Sequence, residues 1–254
     1  MRVCPKCGQS AADGATVCPR DGTPLGAAGG TGAPPDRPVD PLIDSILAGR
    51  YKIVRRIGEG GMGVVYEAEH VVLGKHVAVK VLREDFTRKS DLMERFKQEA
   101  RSASIIGHEN IIDVSDFGET ESGGIFFVME LLRGEDLADL LQRERRLSLA
   151  RSAHVTSQMC RALHAAHQKG IIHRDLKPEN VFLVQKDERR DVVKVLDFGI
   201  AKMTTVDAEG RRLTQSGVIF GTPEYMAPEQ ARGQTLDHRV DVYAAGVMLY
   251  EMLT

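Results

Sequence analysis

A glycine run set between two stretches of β-branched residues constrains the fold more than any other feature of this chain. Gly58-Glu59-Gly60-Gly61-Met62-Gly63-Val64-Val65 has the spacing G-x-G-x-x-G-x-V. A dinucleotide-binding fold needs a helix immediately after such a run. Here Val64-Val65-Tyr66-Glu67-Ala68 follows, a strand-forming sequence, so the glycines join two strands of a hairpin. A loop of this kind suits a flap over phosphates: glycine permits close backbone approach, and the N–H groups face the anion. Val77-Ala78-Val79-Lys80 comes next. Strand alternation turns Lys80 inward, and a buried ammonium requires an acidic partner. Glu99 supplies one, three residues past Phe96 on the inward face of a helix. Taken singly, the two residues read as a surface lysine and a solvated glutamate. Together they read as a pair.

The periodicity around this hairpin is mixed. Strands are predicted over 51–57, 64–70 and 75–82, and again near 111–117 and 124–130. Leu92, Phe96, Ala100 and Ala103 mark a helix over 90–106. Val155, Met159, Leu163 and Ala166 mark another over 149–169, and an apolar helix is predicted over 239–253. A small hairpin is expected between 181–184 and 192–196, with the charged run 186–191 solvated in its turn. Cys160 reads as a core residue, and His154, His164 and His167 as surface or packing residues. A strand-rich first half followed by a helix-rich second half predicts an α+β chain with two lobes.

The amino-terminal residues differ in composition. Cys4-Pro5-Lys6-Cys7-Gly8 has the form of a metal knuckle, and Cys18-Pro19-Arg20-Asp21-Gly22 repeats its frame with Asp where a fourth Cys would stand. Cys4, Cys7, Cys18 and Asp21 are a chemically acceptable zinc set. A redox dithiol and a decayed knuckle that binds nothing are the other readings. Residues 1–22 are therefore expected to form a zinc-ribbon-like head, residues 23–41 a Gly/Ala/Pro linker, and residues 42–254 one globular domain. Three of the four cysteines crowd into this head, which points to Zn²⁺ and a reducing compartment, hence a cytoplasmic protein. The net charge of -2 gives no field for nucleic acid. No run approaches the about 18 apolar residues of a membrane span, and Met1-Arg2-Val3-Cys4-Pro5 does not open a secretory signal.

Ile172-His173-Arg174-Asp175-Leu176-Lys177-Pro178-Glu179-Asn180 is the most informative stretch. With Asp197-Phe198-Gly199 and Ala227-Pro228-Glu229 it completes an ordered set with the glycine run and Lys80. From about residue 45 onward the chain resembles a bacterial protein kinase of the eukaryotic-like serine/threonine type. The resemblance implies a bilobal fold, with a β-rich N-lobe over about 45–132 and a helical C-lobe over about 133–254. The family's C-lobe continues past the helix at 239–253, so an incomplete C-lobe is expected, from a fragment or a truncated gene model.

The resemblance also implies roles. Lys80, held by Glu99, would bind the α- and β-phosphates of ATP beneath Gly58, Gly60 and Gly63. Asn180 and Asp197 would hold Mg²⁺ (or Mn²⁺). Asp175 would take the hydroxyl proton, and Lys177 would stabilise the transferring phosphoryl group. Thr222 and Lys177 follow the serine/threonine pattern, and Asp241 would bind the catalytic-loop backbone. Val65, Ala78 and Phe182 would enclose adenine, Met129 would be the gatekeeper, Glu130 and Leu132 would offer backbone groups to the base, and Asp136 would approach the ribose. Arg174 would pair with a phosphorylated loop residue. Thr204, Thr205, Thr214, Ser216 and Thr222 lie in that loop, and Thr214 and Ser216 are the expected sites of trans-autophosphorylation. The implied partners are protein substrates and a homodimer for that step. A pseudokinase, or an inactive fragment serving as an interaction scaffold, is the alternative function.

Overall fold

The computed structural model describes residues 2–3, 10–11, 15–16, 18–19, 40–60, 63–83, 90–120, 123–186, 189–198 and 223–254. They fall into two compact units, residues 1–41 and 42–254. In the first, β1 (Arg2–Val3) and β2 (Ser10–Ala11) form a two-stranded antiparallel ladder with Arg2 opposite Ala11, and Cys18 is buried. Cys4, Cys7 and Asp21 lie outside the described residues.

The second unit opens with a six-stranded antiparallel sheet. It contains β3 (Ile46–Leu47), β4 (Tyr51–Glu59), β5 (Gly63–His70), β6 (His76–Leu82), β7 (Val114–Glu119) and β8 (Ile125–Glu130), ordered β3-β4-β5-β6-β8-β7. β-Branched and aromatic residues suit these pleated, half-buried strands. Ile53, Ala68, Val79, Phe126 and Val128 fill one core cluster of the sheet. Helix α1 (Ser90–Ile106) buries Phe96, Ala100 and Ala103 in a second cluster with Leu82, Ile125 and Phe127. The Phe96 and Phe127 rings stand 4.9 Å apart. Full burial of one such side chain contributes about 2–3 kcal/mol, which fixes the rotation of α1 and so the direction of Glu99.

The second half of the unit is built around helix α3 (Leu149–His167), started by Ser148, whose hydroxyl accepts from Arg151 N at 3.3 Å. Val155, Met159, Ala162, Leu163 and Ala166 face a core shared with α5 (Arg239–Leu253) and with a three-stranded sheet. That sheet is β9 (Gly134–Asp136), β10 (Val181–Lys186) and β11 (Arg189–Val195), ordered β11-β10-β9. Helix α2 (Leu137–Glu144) and the short α4 (Pro228–Ala231) complete the described elements used below. Among the described residues no helix is long and apolar enough to cross a membrane.

Three expectations are corrected here. Cys160 is exposed, not core: α3 turns Met159 fully inward, and the next residue is rotated about 100° away. The run 186–191 is not merely solvated. Asp191 adopts φ 55, pairs with both Nε and Nη2 of Arg151 at 2.8 Å, and its carbonyl accepts from Gln158 Nε2 at 2.7 Å. Finally, His167 is more than packing, because its Nε2 meets Asp241 Oδ2 at 2.7 Å.

Candidate active site

Lys80 lies in β6, a central strand, with its side chain 6% exposed. Its Nζ donates to Glu99 Oε1 at 2.6 Å and to Asp197 Oδ1 at 2.8 Å. Strand alternation and the α1 apolar stripe thus bring Lys80 and Glu99 together as a pair. Asp197 follows the end of β11 in a left-handed conformation, φ 45, which aspartate adopts more readily than most residues. Burial opposes charge on Lys80, but the two carboxylates outweigh it and push the ammonium up. Burial and the nearby Asp197 charge push Glu99 up. Burial also works against the Asp197 carboxylate, yet the Lys80 charge prevails and holds it low. One cation therefore serves two acids of unequal proton affinity.

The segment carrying Asp175 is held on every side. Arg174 has φ 65, a strained value for a long side chain. Its N–H donates to Asp241 Oδ1 at 2.8 Å, and that of His173 to Asp241 Oδ2 at 2.9 Å. Asp241 is 1% exposed. Burial works to raise its pKa, but the hydrogen bonds from His167 and the two backbone groups outweigh that and keep it below the usual carboxylate value. His173 Nε2 faces Leu196 O at 2.9 Å, so the ring hydrogen sits there and Nδ1 faces Asp175 N at 3.4 Å. His173 thereby ties the Asp175 loop to the residue before Asp197. Its ring also lies 4.8 Å from that of Phe198. Asn180 donates its amide nitrogen to Asp175 O at 2.8 Å, which leaves the amide oxygen to serve as a ligand. Asn180 and the 47%-exposed Asp197 carboxylate present hard oxygens, a fitting partial shell for a small divalent cation that keeps several waters. Among the described residues no group of three or more His, Cys, Asp or Glu could hold an ion.

The glycines divide by role. Gly58 lies next to last in β4 and Gly60 N donates to Gly63 O at 2.8 Å; a Cβ at either would make only ordinary contacts, at 3.8 and 3.9 Å. Gly63 is different: a Cβ there would meet Val81 O at 2.6 Å, so strand pairing itself demands glycine. Val65 pairs with Lys80, and buried Ala78 pairs with Met129 on β8. Met129 and Leu132 pack against the Phe96–Phe127 cluster. Glu130 Oε1 accepts from Lys194 Nζ at 2.5 Å, and Phe182 pairs with Asp136. Asp136 has a structural task the sequence reading missed: it caps α2, accepting from Asp139 N at 2.8 Å. Lys177 immediately precedes the 3₁₀ turn Pro178–Asn180. Gly199, Thr204, Thr205, Thr214, Ser216 and Thr222 lie outside the described residues.

A family model, the protein kinase domain, matches residues 51–254. The chain belongs to this family. Its members use ATP with Mg²⁺ or Mn²⁺. The serine/threonine-protein kinase pkn3 of Myxococcus xanthus is 47% identical over 215 residues, covering 85% of this chain and 39% of the relative. The serine/threonine-protein kinase PknA of Mycobacterium tuberculosis is 42% identical over 220 residues, covering 85% and 49%. The chain thus spans less than half the length of these curated relatives. The crystal structure of the Mycobacterium tuberculosis PknI kinase domain aligns with a TM-score of 0.64 at 29% identity, over 83% of this chain and 76% of that one.

Proposed function

We propose that the domain over residues 42–254 transfers the γ-phosphoryl group of ATP to serine and threonine hydroxyls of protein substrates. The meeting of Lys80 with Glu99 and Asp197 carries this reading. Phosphoryl transfer asks for positioning and for neutralisation of spread negative charge, not covalent chemistry. Lys80 would clamp the α- and β-phosphates while Glu99 holds its ammonium in place. Asp175 would orient the attacking hydroxyl and accept its proton, and Lys177 would face the charge of the moving group. Asp197 and Asn180 would hold Mg²⁺, which when bound neutralises phosphate oxygens. The serine/threonine choice rests on Lys177, on Thr222 and on the names of the relatives. Transfer of labelled phosphate from ATP to a general protein substrate tests it, with Asp175→Asn and Lys80→Met beside the wild type. Equal signal in all three would end the reading and favour an interaction scaffold.

The remaining proposals concern regulation and the head. Thr214 and Ser216 would be autophosphorylated in trans within a transient homodimer. Mass spectrometry of active protein finding both unmodified would refute this. Residues 1–22 would bind Zn²⁺ through Cys4, Cys7, Cys18 and Asp21, joined to the catalytic domain by the linker over 23–41. Elemental analysis of the purified chain should find about one zinc ion per chain, and less than about a tenth of that would refute the head's role.

A further inference from the structure

Arg174 is held at its own N–H by Asp241, and its carbonyl, part of the peptide that joins it to Asp175, has a second anchor on another element. Gln230, on α4, donates Nε2–H to Arg174 O at 2.9 Å. The other end of the same amide, Oε1, accepts from Ala227 N at 3.1 Å, the first turn of its own helix. Both ends are thus committed, and the amide cannot flip without breaking both bonds. The two anchors clamp one residue from opposite ends: Asp241 takes the Arg174 N–H and Gln230 takes its C=O. Arg174 is the residue with φ 65, so without a hold on its carbonyl the peptide can rotate toward an unstrained conformation. That rotation moves Asp175, the next residue. Asp175, Lys177, Tyr225, Met226 and Gln230 also line one small cavity, so Gln230 and Asp175 border the same space.

We propose that Gln230 is a positioning residue for phosphoryl transfer: its amide fixes the Arg174–Asp175 peptide plane and thereby the direction of the Asp175 carboxylate. This rests on the reading of Asp175 as the group that orients the hydroxyl. It also couples the 223–231 segment to the catalytic loop through the Gln230 side chain.

Two substitutions separate the ends of the amide. Gln230→Glu keeps the acceptor for Ala227 N and replaces the donor to Arg174 O with a carboxylate oxygen. Gln230→Leu removes both. The test is steady-state transfer from ATP to a protein substrate by the full chain, as a function of pH, with thermal melting in parallel. Both variants are expected to lower kcat about fivefold to tenfold, the effect of one lost hydrogen bond, with the KM for ATP unchanged. For Gln230→Glu the ratio of variant to wild-type kcat should rise as the pH falls toward the carboxyl range, because a protonated carboxyl again donates to Arg174 O. The Gln230→Leu ratio should stay flat. A wild-type kcat in both variants overturns the proposal, as does a Gln230→Glu ratio independent of pH, or a loss carried by the KM for ATP. If Gln230→Leu does not fold, Gln230→Glu, which retains the helix cap, decides alone through its pH profile. Inactive wild type would instead refute the transferase reading itself, and Asp175→Asn run alongside distinguishes the two failures.

Discussion

Replacing Asp241 with Asn is the sharpest test of how the catalytic loop is held. The carboxylate is buried and receives three donors: His167 Nε2, His173 N and Arg174 N, at 2.7, 2.9 and 2.8 Å. Asparagine has the same shape but only one oxygen. With that oxygen toward His167 and His173, the amide nitrogen faces the Arg174 N–H. With the oxygen toward Arg174, two donors face the nitrogen instead. Either way at least one buried N–H loses its acceptor, and a charge-assisted bond worth about 1.5–3 kcal/mol is lost with it. The expected destabilisation is about 3 kcal/mol, a large part of the roughly 5–15 kcal/mol that a domain has in total. Urea melts followed by far-UV circular dichroism would read it as a lower midpoint at constant slope. The dependence on pH has a definite sign. The folded Asp241 pKa is depressed, so its contribution is complete above the ordinary aspartate value of about 3.9 and fades as the pH falls through the folded value. The gap between wild type and variant should therefore be widest near neutrality and close in acid. A loss under about 0.5 kcal/mol near neutrality, or a gap independent of pH, would refute the argument that this carboxylate anchors the loop.

Other substitutions probe other links. Gly63→Ala should lower stability by about 2 kcal/mol because its Cβ meets Val81 O at 2.6 Å, whereas Gly60→Ala, with its nearest contact at 3.9 Å, should melt with the wild type. Asp191→Asn keeps a residue that tolerates φ 55 but loses the charge and one of the two oxygens facing Arg151, for about 1 kcal/mol; Asp191→Ala adds backbone strain and should cost about twice that in chemical denaturation. Lys80→Met leaves Glu99 and Asp197 facing one another without a cation, so it should abolish transfer. It should also lift both carboxyl pKa values in NMR titration, and unchanged values would contradict the shared-cation account.

Much of this was legible in the sequence because its signals are periodic or local. The strand–glycine–strand order, the α1 stripe through Phe96 and the inward turn of Lys80 each follow from spacing alone. The strands over 76–82 and 125–130 and the helices over 90–106 and 239–253 lie close to where periodicity puts them. What was missed depends on distance or on brevity. Helix α2 has only eight residues, although Leu137, Leu140 and Leu141 carry its stripe and Asp136 its cap. A reading of Asp136 by family position alone overlooks that cap. His167 and Gln230 touch residues dozens of positions away, so no local pattern could reveal that they serve the catalytic loop. The chemistry of Asp191 was hidden in a charge run, whose partner Arg151 lies 40 residues earlier.

The two acids on Lys80 differ greatly in when they can reach it. Glu99 is 19 residues along the chain and Asp197 is 117. The first contact closes a short loop within the strand-rich half, and the second waits for α3, the catalytic loop and the β10–β11 hairpin to be made. On a ribosome releasing about 5–20 residues per second, several seconds separate the emergence of the two partners. Lys80 and Glu99 can therefore pair early and shelter one another's charge, while the cluster of three charges is completed last. A nascent or half-folded chain can thus hold Lys80 with one carboxylate, and the second joins only when both halves are in place.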